Sequence, residues 1–180
     1  MPAEDCRNLV NYYKYWETEA ILADLNTKRF NYSVLCANVQ GDFNVSCIIR
    51  SANAFLAKEV IIYGKRKFDR RGAVGTYHYT NFRHVRIEET ENLDKIISEF
   101  DVIVGIDNIV NAKPINNYSW DKNKKTLICF GEEQAGIPEA VIKKCHEILY
   151  IPQYGSVRSL NCASAAAIAL YDYCNKTIES

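Results

Sequence analysis

Three short segments hold the residues of this chain best suited to chemistry. In Asn38-Val-Gln-Gly-Asp-Phe-Asn-Val-Ser-Cys-Ile-Ile-Arg50, two carboxamides and a guanidinium recur at six-residue intervals, as Asn38, Asn44 and Arg50. In Phe130-Gly-Glu-Glu-Gln-Ala-Gly-Ile-Pro138, an apolar run enters a G-x-E-x-x-G loop with Gly131, Glu133 and Gly136. Glycines there let the backbone approach a ligand closely and adopt positive φ angles. The spacing is not the G-x-G-x-x-G of a dinucleotide fingerprint. The third segment, Ile151-Pro-Gln-Tyr-Gly-Ser-Val-Arg-Ser-Leu-Asn161, opens an alanine-rich helix. Pro152 fixes the chain leaving a strand, and Gly155 permits a sharp bend. Each segment also has a plainer reading. An arginine on an amphipathic helix is ordinarily a surface ion-pair residue, and a loop with two glycines is ordinarily only a loop. Ser159 would serve as a helix N-cap, and Asn161 as a first-turn polar residue.

The elements that must position these residues alternate in type. Short apolar strands are expected at Tyr32–Ala37, Glu59–Tyr63, near Val85-Arg86-Ile87, and at Val102–Ile106, Thr126–Phe130 and Ile148–Ile151. Helices are expected at Asn44–Leu56, with Ile48, Ile49, Ala52 and Phe55 on one side, and near Leu93–Phe100, Glu139–Lys144 and Ser159–Lys176. The first 25 residues read as one or two amphipathic helices, with Leu9, Tyr13, Trp16 and Ala20 at helical spacing. A polar turn is expected through Gly41-Asp42, and Asn108–Lys125 reads as a surface loop. Strands alternating with helices imply an α/β fold, a parallel sheet flanked by helices on both faces. A short N-terminal helical extension over residues 1–30 precedes one domain over residues 31–180.

The 180 residues are 48% hydrophobic and 24% charged, which excludes a disordered chain and allows a sizeable core. No apolar run approaches the roughly 20 residues of a membrane span, and no signal peptide is read at Met1-Pro-Ala-Glu-Asp-Cys6. Cys6, Cys36, Cys47, Cys129, Cys145, Cys162 and Cys174 are scattered without a C-x-x-C pair. That pattern suits a reducing, cytoplasmic setting rather than a disulfide framework or zinc site. His78, His84 and His146 show no ligand spacing, so no metal is expected, and His146 reads as structural. Net charge is zero, yet Lys58–Arg86 holds eight Lys or Arg against two acidic residues. Lys65-Arg66-Lys67 and Arg70-Arg71 lie beside Phe68, Tyr77, His78 and Tyr79, mixing phosphate partners with stacking surfaces. The plainer reading is a solvated basic loop.

Taken together and in order, the three segments resemble the motifs of the SpoU-type (TrmH-like) RNA 2′-O-ribose methyltransferases of the SPOUT superfamily. The resemblance covers roughly Tyr32 to Asn175. Gly41-Asp42 stands where Asp-Pro is common in the family, and Ser46-Cys47 where Gly-Ala is common. The resemblance implies a SPOUT fold with a deep C-terminal trefoil knot, an exception to the rule of unknotted chains. It implies S-adenosyl-L-methionine as cofactor, touched by Gly131, Ile151, Ser159 and Leu160. Arg50 would engage the target ribose 2′-hydroxyl, with Glu133 orienting Arg50 or the ligand loop and Asn44 and Asn161 positioning the ribose. Asn38, Arg70 and Arg71 would face the RNA. A homodimer through the knot and the C-terminal helix is implied as well.

Family mechanisms give the Arg50 position the role of general base. A guanidinium is ordinarily always protonated in proteins, so an electrostatic role at the forming alkoxide stands beside the base role. Members often add a separate N-terminal RNA-binding domain. About 30 residues before the first strand are too few for one, so recognition is expected from the catalytic domain and short helices. A compact enzyme of this kind suits tRNA ahead of rRNA. Alternatives are a non-catalytic knotted RNA-binding relative and a SPOUT methyltransferase acting on a base nitrogen. The six-residue Asn-to-Arg spacing favours ribose over the latter. A Rossmann-like nucleotide-binding domain lacks its glycine fingerprint here.

Overall fold

The computed structural model describes residues 7–38, 43–65, 67–86, 90–133 and 135–178. The Gly41-Asp42 turn, and Cys6, Arg66, Ile87 and Gln134, lie outside the described residues. Seven strands form one sheet: β1 (Tyr32–Asn38), β2 (Val60–Gly64), β3 (Phe82–Val85), β4 (Val102–Ile106), β5 (Lys113–Pro114), β6 (Thr126–Phe130) and β7 (Glu147–Tyr150). Their order is β3-β2-β1-β6-β4-β7-β5, and every neighbouring pair is parallel. The helices are α1 (Thr18–Asn26), α2 (Asn44–Ala54), α3 (Thr90–Ile97), α4 (Glu139–Ile142) and α5 (Cys162–Ile178).

Alternation along the strands explains the two covered faces. Val34, Cys36, Ile62, Val104, Ile128 and Phe130 point to one side, where Ile48, Ile49 and Ala52 of α2 meet Ala166, Ala169, Leu170 and Tyr173 of α5. Leu35, Ile61, Ile103, Leu127 and Cys129 point to the other, onto Leu93 and Ile96 of α3 and Val141 of α4. The small alanines of α5 allow α2 and α5 to pack closely. Tyr32 stacks on Tyr173 at 4.4 Å between centroids, and its hydroxyl donates to the Phe55 carbonyl at 2.7 Å. Burial pushes the Cys174 thiol up to about 11, so it stays protonated and packs as a small hydrophobe.

Several elements depart from the expected positions. The third strand comes earlier, at Phe82–Val85, because it is an edge strand that buries little and carries a weak apolar signal. Asn108–Lys125 is not wholly loop: it contains β5 on the opposite edge and a 3₁₀ turn at Ile115–Asn117. Two residues are too few to show a period, and Pro114 suits an edge. At the N-terminus, where one or two helices are expected, a 3₁₀ turn at Asn11–Tyr13 precedes α1. Ile21 and Leu25 face the core, with Leu9, Tyr13 and Trp16 packed on them, whereas Ala20 is exposed. The extended backbone at Glu17 interrupts the spacing.

The segment after β5 is fastened to α5. Trp120 Nε1 donates to Asp172 at 2.8 Å, and Lys176 reaches the carbonyls of Ile115, Asn116 and Tyr118. Replacing Trp120 with Phe keeps most of the packing and removes the charge-assisted bond. It is expected to lower stability by about 1–2 kcal/mol in urea denaturation.

Candidate active site

The sheet order brings distant segments of sequence to one edge. β1, β6, β4 and β7 are successive neighbours, and all run the same way, so their carboxyl ends open together. The first segment leaves β1, the second leaves β6 and the third leaves β7. Ligand loops at the carboxyl ends of parallel strands are the general α/β arrangement.

Asn161 ties the three together. Its Nδ2 donates to Asn44 Oδ1 at 2.9 Å and to Glu133 Oε1 at 3.0 Å. Its Oδ1 accepts the N–H groups of Ala163 at 3.0 Å and Ser164 at 3.2 Å. Asn161, and not Ser159, is therefore the N-cap, and the helix begins at Cys162 rather than Ser159. A carboxamide offers two donors and two acceptor lone pairs, and all four are engaged within the protein. The network also sets which way the amide faces. Asn44 is buried at the start of α2, whereas Glu133 and Asn161 are exposed at the rim.

Beside this junction lies a cavity of about 440 Å³. Gly131, Ile151, Ser159 and Leu160, the four positions expected at a cofactor, all line it, as does Glu133. Its apolar walls include Phe130, Ile137 and Ile142. The second segment turns back on itself through paired backbone bonds between Glu132 and Gly136, at 3.0 and 2.9 Å. Gly136 adopts φ +67°, which favours glycine. A Cβ on Gly131 would sit 1.9 Å from the Gly136 carbonyl carbon, so this close approach of backbone to backbone admits no side chain. Gly155, by contrast, has open space around it and no left-handed φ. The bend there does not need glycine.

Asp107 belongs to none of the three motif segments. Its Oδ2 accepts the Ile137 N–H at 3.0 Å and its Oδ1 the Asn108 N–H at 2.8 Å, which ties the end of β4 to the glycine turn. The signal available was its place one residue past a parallel strand. Cys162 Sγ likewise contacts the Gly131 carbonyl at 2.9 Å, joining α5 to the same turn.

Arg50, Arg70 and Arg71 stand outside the cavity lining. Arg50 is exposed on α2 and makes no hydrogen bond or ion pair among the described residues. It lies about 9 Å along the helix axis from Asn44. Arg70 lies over the Tyr77 ring at 5.3 Å, and Tyr77 stacks on His78 at 4.2 Å. Arg71 pairs with Asp69 at 2.5 Å, which offsets part of its charge. The turn that follows packs on the start of α2, since a Cβ on Gly72 would meet Ser46 Oγ and Cys47 Sγ. Asn38 ends β1 opposite Gly64, and its side chain lies outside the described part of the structure. His146 Nδ1 accepts the Ile103 N–H at 3.0 Å, a structural bond. Among the described residues, no three His, Cys, Asp or Glu side chains cluster as metal ligands.

A parallel sheet with three loops clasped beside one cavity at its carboxyl edge defines an α/β domain built to hold a small organic ligand. The chain belongs to the SpoU rRNA Methylase family, whose sequence profile matches residues 31–171. A TrmH family tRNA/rRNA methyltransferase of Staphylococcus aureus (strain COL) is 27% identical over 180 residues, covering 97% of this chain and 71% of the relative. The 23S rRNA (guanosine-2′-O-)-methyltransferase RlmB of Acinetobacter baylyi is 26% identical over 140 residues, covering 75% and 56%. The SpoU methyltransferase AviRb of Streptomyces viridochromogenes, solved in complex with AdoMet, superposes with a TM-score of 0.72 at 26% identity. It covers 84% of this chain, which spans 60% of that structure. The fold implies the C-terminal trefoil knot.

Proposed function

We propose that this chain transfers a methyl group from S-adenosyl-L-methionine to a ribose 2′-hydroxyl of structured RNA, with tRNA ahead of rRNA as substrate. The observation that carries the reading is the clasp of Asn44, Glu133 and Asn161 beside the cavity lined by Gly131, Ile151, Ser159 and Leu160. The cavity fits the cofactor: its volume lies in the range of small-molecule sites, and apolar walls combine with a few polar groups. When bound, S-adenosyl-L-methionine supplies an electrophilic methyl group on a sulfonium.

Each residue then has a definite task. The Gly131–Gly136 turn and Ile151–Leu160 hold the cofactor. Asn161 and Asn44, occupied with each other, keep the loops in place rather than touching the ribose. The exposed guanidinium of Arg50 stabilises negative charge on the 2′-oxygen and an adjacent phosphate while the hydroxyl proton passes to solvent; its place in solvent favours this electrostatic role over that of a base. Arg70, Tyr77 and His78 offer the RNA a cation and stacking rings. The 3₁₀ turn at Asn11–Tyr13 and α1 serve as a short helical extension to the catalytic domain. Exposed Tyr154, Val157, Ile168, Tyr171 and Ile178 supply an apolar surface for a homodimer through the knot and α5. Scattered cysteines, none of them in a disulfide among the described residues, suit a cytoplasmic enzyme.

The test is methyl transfer from labelled S-adenosyl-L-methionine into total RNA, followed by size fractionation and nucleoside analysis. A 2′-O-methylated nucleoside in the tRNA fraction is expected. Label in long RNA keeps the chemistry and moves the substrate to the ribosome. A methylated base, or no transfer with any RNA, overturns the ribose reading.

A further inference from the structure

The charges lining the cavity are unequal. Asp107, Glu132 and Glu133 bring three carboxylates, and Arg158 is the one basic residue among the described lining. The Arg158 side chain is exposed and has no hydrogen bond or ion pair among the described residues. Its backbone is held, because Asn108 Nδ2 donates to the Arg158 carbonyl at 3.1 Å. Asn108 is in turn bound to Asp107, which grips the glycine turn. Arg158 thus starts from a fixed point on the cavity wall with a free guanidinium.

The proposed cofactor has matching asymmetry. Its sulfonium and ammonium are cationic, and its one anionic group is the carboxylate at the end of the amino-acid arm. Carboxylates on the wall suit the cations and repel that end. We propose that Arg158 binds the cofactor's carboxylate and so orients the amino-acid arm. This rests on the cofactor reading above. A guanidinium meets a carboxylate with two parallel N–H donors, which fixes direction as well as charge. The arm carries the sulfur, so fixing its far end also limits where the methyl group can point. Arg158 is then a cofactor-specificity residue three positions before the Asn161 clasp.

Calorimetry on the full chain tests this with two probes, S-adenosylhomocysteine and its decarboxylated analogue, which keeps the amine and loses only the carboxylate. The wild-type chain is expected to bind the first about tenfold more tightly than the second. Arg158→Ala is expected to weaken S-adenosylhomocysteine by a similar factor, to leave the analogue unchanged, and so to abolish the discrimination. Arg158→Lys, which keeps the charge without the fork, should restore part of it. Equal weakening of both probes, or unchanged binding of S-adenosylhomocysteine, overturns the proposal. A loss of RNA affinity alone would assign Arg158 to phosphate instead and overturn it as well. If the wild-type chain binds neither probe, the cofactor reading itself fails.

Discussion

Arg50→Ala is expected to lower the turnover of methyl transfer into RNA by about 10²–10³-fold, the usual loss when one group stabilising a developing oxyanion is removed. The side chain is exposed and has no partner among the described residues, so the fold loses nothing it depends on. Stability is expected to stay within about 0.5 kcal/mol of the wild type. Arg50 does not line the cavity, so S-adenosylhomocysteine affinity should not change either. Single-turnover kinetics with calorimetry separates these quantities. A variant that transfers methyl at the wild-type rate removes Arg50 from the mechanism. A variant that loses cofactor affinity and rate together makes Arg50 a structural prop. Arg50→Lys distinguishes the two chemical roles: charge stabilisation predicts partial activity with an unchanged pH profile, and base catalysis predicts a new rise at alkaline pH.

Replacing Asn161 should damage stability and cofactor binding at once, because one carboxamide serves both. Asn161→Ala removes the helix cap, worth about 1 kcal/mol, and the bond to buried Asn44, worth about another. The expected loss is therefore about 2 kcal/mol in chemical denaturation. Freed from Asn161, Glu133 and the mouth of the cavity lose their orientation, and S-adenosylhomocysteine should bind more weakly. Asn161→Asp separates the two effects. Aspartate caps a helix as well as asparagine does, so the ends of Ala163 and Ser164 stay satisfied. Its second oxygen, however, would face Asn44 Oδ1 and Glu133 Oε1, two acceptors, where Nδ2 now donates. Helix stability should largely survive while cofactor binding and transfer fall. If the aspartate variant binds S-adenosylhomocysteine normally, the clasp is only a cap.

Much of this arrangement was legible from residue pattern. Val102–Ile106 and Thr126–Phe130 are buried strands whose bounds follow directly from their apolar runs. The cavity positions Gly131, Ile151, Ser159 and Leu160 came from resemblance, and they line one cavity here. What pattern could not supply was pairing between side chains far apart in sequence. Asn44 and Asn161 are 117 residues apart, and their bond follows only from the placing of β6 and β4 between β1 and β7. The same limit hid Asp107, whose partner at Ile137 belongs to another strand's loop. Ser159 and Asn161 are both good capping residues, and local chemistry does not choose between them. The choice is made by Glu133 and Asn44, which draw Asn161 into place.

The sheet order also dictates when the cavity can exist. β1, β2 and β3 are neighbours in both sequence and space, and can associate as soon as they are made. β4 has no partner among them. It must wait for β6, which inserts between β1 and β4, and only then can β7 add to β4's other side. Contacts of such long sequence separation form slowly. During synthesis, the cavity is therefore the last part of the domain to appear, and a chain interrupted before α5 carries all seven strands but lacks the helix that completes the cavity wall.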